Sequence, residues 1–334
     1  DLDEDAVAEY FQIDKVLVDG VFYMANRLYG LSFERRNDIP VYHPDVWVYT
    51  VFEKDGSELG LFYFDPYQRP SKRGGAWMSN FVSQSHLWGT KPVIYNVLNI
   101  PKASAGEVQL VSFDDVNTMF HEFGHGLHHL LTRVEHACVS GINGVAWDAV
   151  ELPGQFMENW CWEPEGLALI SGHYESGEPL PQDLLEKMLA AKNFQSGLMM
   201  VRQLEFSLFD FELHATHGDG RSVAQVLEGV RDEVSVMRPP AYNRFPNSFA
   251  HIFAGGYAAG YYSYKWAEVL SADAFSKFEE EGVLNAETGR AFREAILARG
   301  GSQEPMVLFV DFRGRAPSID ALLRHTGLSE AAAA

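Results

Sequence analysis

Cysteine is scarce in this chain of 334 residues, which contains only Cys138 and Cys161. Two cysteines do not make a disulfide framework, and neither has the clustered partners of a structural metal knot. Hydrophobic packing must therefore hold the fold together. The same scarcity is typical of a reducing compartment, so we expect the protein to be cytoplasmic.

Basic residues and long apolar runs are also few. The chain has 26 lysines and arginines against 46 acidic residues, which gives a formal net charge of -20, and no basic cluster stands out. Such a surface repels phosphate backbones and anionic membranes, so we expect no nucleic-acid partner. The sequence has no run of about 18 apolar residues and opens on no secretory leader, so we expect neither a membrane span nor export.

Hydrophobic residues make up 46% of the sequence, enough for a substantial core in one large or two smaller domains. Segments 46–51 and 60–64 are rich in β-branched and aromatic residues and flank Asp55-Gly56, which predicts a hairpin. Segments 76–82 and 92–97 predict further strands. An exposed edge of this sheet can hold an extended peptide by β-augmentation, although the sequence does not identify the edge strand.

Helical periodicity dominates the rest of the chain. The predicted helical segments are 13–29, 113–133, a stretch from Asp148 toward Cys161, 182–215, 223–237, 248–281, 286–299 and 319–324. The predicted fold class is therefore mainly α with a small β-sheet (α+β). We place the small sheet at about 41–111, the helices of the candidate site at about 112–171, and the helical remainder at 182–327.

His121, Glu122 and His125 form an H-E-x-x-H sequence. Positions four apart lie on one face of an α-helix, so the two histidines can direct imidazole nitrogens at one point in space. Ser112 and Asp115 resemble a capping box, and apolar residues follow at helical spacing, which places the motif in mid-helix. The pattern predicts a zinc site at which Glu122 can hold the bound water.

A catalytic zinc usually takes three protein ligands and leaves a position for water. The third ligand is often a carboxylate on a neighbouring helix, and we choose Glu151, which also has capping-box spacing from Asp148. Glu158 lies two helical turns further on the same face and is the alternative. His128 follows His125 by three residues and is another alternative. We expect it instead to contact a metal ligand without binding the metal itself, or to be solvated.

A last cluster contains residues with donor side chains or permissive backbone, namely His251, Gly255, Gly256, Tyr257, Tyr261 and Tyr264. The tyrosines occur at i, i+4 and i+7, which places them on one face of the predicted helix. Such a stripe is typical of a packed core. Phenols and an imidazole are nevertheless suitable donors to an oxyanion, and glycines permit close backbone approach.

Three segments together resemble the thimet oligopeptidase family of zinc metallopeptidases: the H-E-F-G-H motif at 121–125, E-L-P-G-Q-F-M-E-N-W at 151–160, and the stretch 251–264. The resemblance also includes segments 74–78 and 312–315 and covers nearly the whole chain. It implies a zincin-type metallopeptidase catalytic domain with one Zn²⁺ per chain. The resemblance implies that full-length members carry a long N-terminal helical portion that forms the other wall of a deep channel, and we expect that portion to be missing here.

The resemblance also implies individual roles. The zinc ligands are then His121, His125 and Glu151, and the catalytic base is Glu122. The groups that contact the substrate or the tetrahedral intermediate are then Tyr264, Tyr257 and His251, while Tyr261, Gly255 and Gly256 line the same cleft.

We therefore expect a zinc-dependent endopeptidase that cuts internal bonds of short unstructured peptides, with Glu122 as general base. An N-terminal portion of the same enzyme is the other expected partner. One alternative is a peptidyl-dipeptidase that releases C-terminal dipeptides, but no lysine or arginine can be assigned to the terminal carboxylate. Another is a catalytically weak zinc-binding fragment that only holds peptides, against which an intact Glu122 argues.

Overall fold

A single mixed sheet contains the five strands of the computed structural model, which describes residues 2–329. The strands are β1 (Ser32–Arg36), β2 (Trp47–Phe52), β3 (Glu58–Tyr67), β4 (Trp77–Val82) and β5 (Val93–Ile100). Their order is β1-β2-β3-β5-β4, and only the β3–β5 pair is parallel. The edges of the sheet are therefore β1 and β4.

The predicted hairpin and both further predicted strands are confirmed as β2, β3, β4 and β5. Gly56 in the hairpin turn has a φ of 82°, a conformation that glycine adopts without steric cost. Strand β1 was not predicted. Its last three residues, Glu34, Arg35 and Arg36, are charged and it is mostly exposed, so it lacks the apolar alternation that marks a strand. The sheet consequently begins at residue 32 rather than at about 41.

Helices make up most of the remaining structure, which confirms the predicted mainly helical class with a small sheet. A π-helical stretch, Val16–Phe22, joins α2 to α3, and short 3-10 turns occur at Ala137–Val139 and Leu297–Arg299. The α-helices are α1 (Glu4–Ala8), α2 (Ile13–Lys15), α3 (Tyr23–Tyr29), α4 (Phe113–Leu130), α5 (Trp147–Val150), α6 (Leu152–Trp162), α7 (Pro164–Ile170), α8 (Gln182–Lys192), α9 (Ser196–Ala215), α10 (Val223–Val234), α11 (Phe245–Ser248), α12 (Ala250–Phe253), α13 (Ser263–Glu281), α14 (Ala286–Ala295), α15 (Pro305–Arg313) and α16 (Asp320–His325).

Four predicted helical segments are interrupted. The stretch from Asp148 divides into α5 and α6 at Glu151, and 286–299 divides into α14 and a 3-10 turn at Ile296. The segment 182–215 divides into α8 and α9 at Gln195, which has a φ of 54°. The segment 248–281 begins at the last residue of α11 and divides into α12 and α13, with turns between residues 254 and 262. Helix α15 lies outside every predicted segment and begins with Pro305 in its first turn, where proline is well tolerated.

The main core encloses α4 between the sheet and α6. On the sheet side, the Phe123 ring of α4 lies 5.3 Å from Phe62 of β3, measured between ring centroids. It lies 5.8 Å from Phe22 of the π-helical stretch. On the other side, Phe156 of α6 lies 5.5 Å from Phe278 of α13. The motif helix is thus held on the sheet side by aromatic packing of Phe123, and α6 is in turn packed against α13.

A second, smaller core lies between α9, α10 and the segment 245–261. Its buried members include Phe209 of α9, Val230 of α10 and Phe249, and Tyr261 also belongs to it. This cluster attaches the tyrosine-containing segment to α9. Among residues 2–329, no helix combines the length and the apolar character required to cross a membrane.

Candidate active site

Helix α4 carries the H-E-x-x-H sequence and begins as predicted. The Ser112 hydroxyl accepts from the backbone N–H of Asp115 at 3.1 Å, and the Asp115 carboxylate accepts from the backbone N–H of Ser112 at 3.1 Å. This capping box satisfies two otherwise unpaired N–H groups and fixes the start of the helix. The helix ends at Leu130 rather than at residue 133.

Helix α6 approaches α4 unusually closely at Gly124. A Cβ atom at this position would lie 2.1 Å from the carbonyl oxygen of Pro153, so no larger residue fits while the two helices keep their distance. Glu151 lies at the junction of α5 and α6, directly before the close contact. The predicted capping box between Asp148 and Glu151 is wrong, because within residues 2–329 neither of these helices has a side-chain cap and α5 begins before Asp148, at Trp147.

The close approach brings three potential metal ligands together, namely His121, His125 and Glu151. The two histidine Nε2 atoms are 3.1 Å apart, and the Glu151 Oε2 lies 3.3 Å from one and 3.4 Å from the other. A tetrahedral zinc with bonds of about 2.0–2.1 Å has ligand atoms about 3.3–3.4 Å apart. The three donors therefore fit three corners of a zinc tetrahedron, and their His₂Glu chemistry is that of a catalytic site.

Two further side chains orient these donors from behind. Glu158 contacts the Nδ1 of His121 at 2.5 Å, and its other oxygen accepts from the Asn117 amide at 2.9 Å. Tyr257 donates its hydroxyl to the Oε1 of Glu151 at 2.5 Å. Glu158, the alternative third ligand, is therefore directed at the opposite side of the imidazole from the converging Nε2 atoms, where it fixes the tautomer and orientation of the ring.

The charges within the site perturb several pKa values. Burial alone would lower the pKa of His121, but Glu151 and Glu158 raise it well above the ordinary value. Burial alone would raise the pKa of Glu151, but contacts with His121 and His125 hold it below the usual range. Glu122 is 6% exposed, and its burial raises its pKa. A carboxylate with a raised pKa beside two histidines is suited to accept a proton.

The predicted tyrosine cluster is present, although its backbone is not helical as predicted. Residues 254–262 form turns, and α13 begins only at Ser263. The Tyr257 and Tyr264 rings stack with centroids 4.9 Å apart, and Tyr261 lies 5.2 Å from Tyr264. Burial and the nearby Glu151 raise the pKa of both Tyr257 and Tyr264, so both remain hydroxyl donors at neutral pH.

His251 and the paired glycines lie at the outer side of this cluster. The exposed His251 ring lies 6.2 Å from Tyr257 and 6.0 Å from Tyr264, measured between centroids. Gly256 has a φ of 88°, and a Cβ there would lie 3.4 Å from the Trp147 ring. Gly255 is exposed beside it. The structure thus places Tyr257 against Glu151 and gathers Tyr264, Tyr261 and His251 into one aromatic cluster with it.

The expectation for His128 was wrong. The side chain is buried, its burial lowers its pKa to about 3, and neither ring nitrogen has a hydrogen-bond partner within residues 2–329. It does not belong to the His/Glu cluster found among the described residues. Its position three residues after His125 turns it away from the converging nitrogens and into the core.

Sequence reasoning missed several residues that support the site. The Gln155 amide donates to the backbone carbonyl of Tyr264 at 3.0 Å, and Trp147 packs on Tyr257 with centroids 4.6 Å apart. Asn117 contacts Glu158 as described above. Asn117 lies one helical turn before His121 on α4, so its spacing from the motif was the one signal that could have indicated it.

Comparison with known proteins decides the family, because residues 1–328 match Peptidase family M3. The chain belongs to peptidase family M3. Membership confirms the resemblance to a metallopeptidase family that the sequence motifs indicated. It also means that this M3 chain is a metallopeptidase.

Curated relatives of this M3 chain agree with that assignment. It is 54% identical over 332 residues to oligopeptidase A of Escherichia coli, with 98% of the chain and 49% of the relative covered. It is 46% identical over 337 residues to dipeptidyl carboxypeptidase of Escherichia coli, with 98% of the chain and 49% of that relative covered. The M3 chain spans about half the length of the curated relatives it matches.

A solved structure with a similar fold is the M32 carboxypeptidase from Deinococcus radiodurans R1. The TM-score is 0.56 at 16% sequence identity, and the match covers 97% of the M3 chain and 60% of the other. The likeness concerns the fold, which agrees with the predicted zincin-type architecture.

Proposed function

We propose that this chain is the catalytic region of a zinc-dependent oligopeptidase that hydrolyses internal bonds of short unstructured peptides. The observation that supports it most is the convergence of His121, His125 and Glu151 at separations of 3.1, 3.3 and 3.4 Å, which fit a zinc tetrahedron. Similarity to oligopeptidase A along 98% of the chain supports the substrate class.

The chain's own groups account for the steps of peptide hydrolysis. Zinc, when bound, supplies Lewis acidity that lowers the pKa of water toward ~7 and polarises the scissile carbonyl. Glu122, with its raised pKa, accepts the proton of the attacking water and passes it to the leaving amine. Tyr264 donates its hydroxyl to the developing oxyanion, while Tyr257 holds Glu151 through its 2.5 Å hydrogen bond.

The edge strand β4 is the proposed platform for the peptide backbone. It pairs with β5 on one side only, and β5 precedes the motif helix in the chain. An extended peptide can add to the free side of such a strand through backbone hydrogen bonds. A cavity of about 380 Å³ beside Glu158, lined in part by Gln155 and Lys265, offers space for substrate side chains.

Two parts of the proposal concern the protein's surroundings. Since the chain spans about half of its curated relatives, the corresponding other half is the proposed partner, and it would form the second wall of the substrate channel. A cytoplasmic location is proposed from the two cysteines, which are both unpaired in the described structure.

The test compares cleavage of a short, internally quenched peptide by the zinc-loaded chain and by its Glu122→Gln variant. Cleavage by the parent alone, with equal zinc content in both proteins, supports the mechanism. Equal cleavage by both proteins would refute the role of Glu122. If neither cuts although zinc is bound, the chain by itself is a zinc-binding fragment, which is the alternative function.

A peptidyl-dipeptidase is the second candidate, supported by the similarity to dipeptidyl carboxypeptidase. Such an enzyme must anchor a C-terminal carboxylate with a cation. Lys192 and Lys265 line the cavity beside Glu158, but Lys265 is paired with Glu268 at 2.5 Å. Peptides with free and amidated C-termini distinguish the candidates, because loss of cleavage on amidation indicates dipeptide release.

A further inference from the structure

The tyrosine loop, defined as residues 254–262, has a backbone of turns rather than a helix. It contains two residues in the left-handed region, Gly256 with a φ of 88° and Ala259 with a φ of 56°. Glycine adopts such a φ freely, but alanine does so at a steric cost. A non-glycine residue persists in this conformation only where its surroundings hold it there.

Asp210 of α9 supplies that hold. Its carboxylate is 1% exposed and accepts from the backbone N–H of Ala259 through Oδ1 and from that of Tyr261 through Oδ2, both at 2.9 Å. Both oxygens of one buried side chain are therefore committed to the backbone of the loop. His214, one turn further along α9, lies 3.1 Å from Oδ1 and completes the surroundings of the carboxylate.

A second contact from the same helix holds a side chain of the loop, that of Tyr261. The hydroxyl of Tyr261 donates to Gln203 Oε1 at 3.0 Å. Gln203 and Asp210 lie seven positions apart, two turns along one face of α9. The helix therefore holds the loop at both a backbone and a side-chain position.

The held loop and the first turn of α13 carry the groups that face the candidate metal ligands. Tyr257 contacts Glu151 directly, and Tyr264, at the start of α13, stacks on Tyr257. A shift of the backbone at Ala259 or Tyr261 must move Tyr257 relative to Glu151, because the chain between them is short. Asp210 itself has its carboxylate turned toward the loop backbone rather than toward the ligands.

We infer that Asp210 is a positioning residue, whose buried carboxylate fixes the tyrosine loop so that Tyr257 and Tyr264 face the site formed by His121, His125 and Glu151. The expected effect on the reaction rate rests on the proposed peptidase function. The claim that Asp210 holds the loop does not. Misplacement of catalytic groups by about 1 Å costs up to ~100-fold in rate. Loss of Asp210 therefore lowers kcat while the zinc ligands stay in place.

The central experiment measures hydrogen–deuterium exchange at the amides of Ala259 and Tyr261 in the zinc-loaded parent and in Asp210→Asn. Asparagine keeps the volume of aspartate but directs an amide N–H₂ at one of the two donors, so at least one hydrogen bond is lost. Both amides are expected to exchange slowly in the parent and faster in the variant. Glu212→Gln is the control, since it removes a charge from the same helix at a side chain paired instead with Arg221.

The kinetic part separates positioning from a general loss of structure. Asp210→Asn is expected to lower kcat by about 10- to 100-fold with a smaller change in KM, because an oxyanion donor acts in the transition state. Amide protection in α4 should equal that of the parent, while zinc affinity should fall by at most about 10- to 100-fold, because Tyr257 supports the ligand Glu151. Adding Ala259→Gly to Asp210→Asn should restore part of the rate, since glycine adopts the left-handed φ without the carboxylate.

Several results would overturn the inference. Fast exchange of the Ala259 and Tyr261 amides in the parent refutes it without any variant, and so does unchanged exchange in Asp210→Asn. A variant that loses amide protection in α4 as well as rate shows a general structural role. If the parent itself cleaves no peptide, the proposed function fails, while the exchange comparison still decides whether Asp210 holds the loop.

Discussion

Substitution of Gly124 by alanine tests whether the contact between α4 and α6 builds the metal site. The added Cβ would lie 2.1 Å from the Pro153 carbonyl oxygen, whereas ordinary van der Waals contact begins at 3.4 Å. The backbone of α6 must therefore retreat by about 1.3 Å, and Glu151 would move with it. Ligand distances in a metal site tolerate a deviation of only about 0.2 Å.

The expected magnitude follows from that displacement. Residues that merely support ligands typically change metal affinity by about 10- to 100-fold, and loss of the Glu151 contact should exceed this range, so zinc affinity should fall by at least about 100-fold. Forcing a methyl group into a packed interface should also lower the free energy of unfolding by about 1–3 kcal/mol.

The assay is competition for zinc against a chromophoric chelator, with urea unfolding measured in parallel. Gly229→Ala is the matched control, because Gly229 lies inside α10 and a Cβ there would meet nothing within 4 Å. That control should bind zinc like the parent and gain about 0.5–1 kcal/mol of stability from reduced backbone entropy. A folded Gly124→Ala protein with parental zinc affinity would refute the reasoning.

Three further substitutions and one pH series test the site and its helix. Tyr264→Phe should lower kcat by about 100-fold while zinc stays bound, because one oxyanion donor is lost; equal turnover would exclude that role. Glu158→Gln should weaken zinc binding by about 10- to 100-fold in the chelator assay, because the His121 ring loses its 2.5 Å partner. Burial alone would lower the pKa of His121, but Glu151 and Glu158 raise it above the ordinary value. Protons therefore compete with zinc for this ligand already above pH ~6.5. Zinc affinity should fall as the pH is lowered through that range. Ser112→Ala removes the capping hydrogen bond to Asp115 and should lower the free energy of unfolding by about 1 kcal/mol in urea, with zinc affinity retained.

The parts of the fold that the sequence could predict are those whose signals are local. The start of α4 follows from Ser112 and Asp115, and the hairpin follows from Asp55-Gly56 between two apolar segments. Strand β1 was missed because an edge strand can be charged and exposed when its partner supplies the hydrogen bonds. The division of 182–215 was missed because Gln195 carries no sequence signal for its positive φ.

In the candidate site, too, features set by neighbouring residues were predictable, and features set by contacts between distant segments were not. His121 and His125 are related by helical geometry alone, so their convergence was predictable. The choice between Glu151 and Glu158 depended on how closely α6 approaches α4, which is decided at Gly124 by a contact with Pro153. Both carboxylates lie near His121, one at Nε2 and the other at Nδ1, and no spacing rule distinguishes these two positions.

The tyrosines were grouped correctly from a helical period that the structure does not have. On a straight helix, residues seven apart are about 10.5 Å apart along the axis, since each residue rises by 1.5 Å. The rings of Tyr257 and Tyr264 lie 4.9 Å apart instead, because the intervening backbone turns at Ala259. An uninterrupted helix would therefore have separated the two hydroxyls that the proposed mechanism needs together. The turns are what bring Tyr257 to Glu151 while Tyr264 stays stacked upon it.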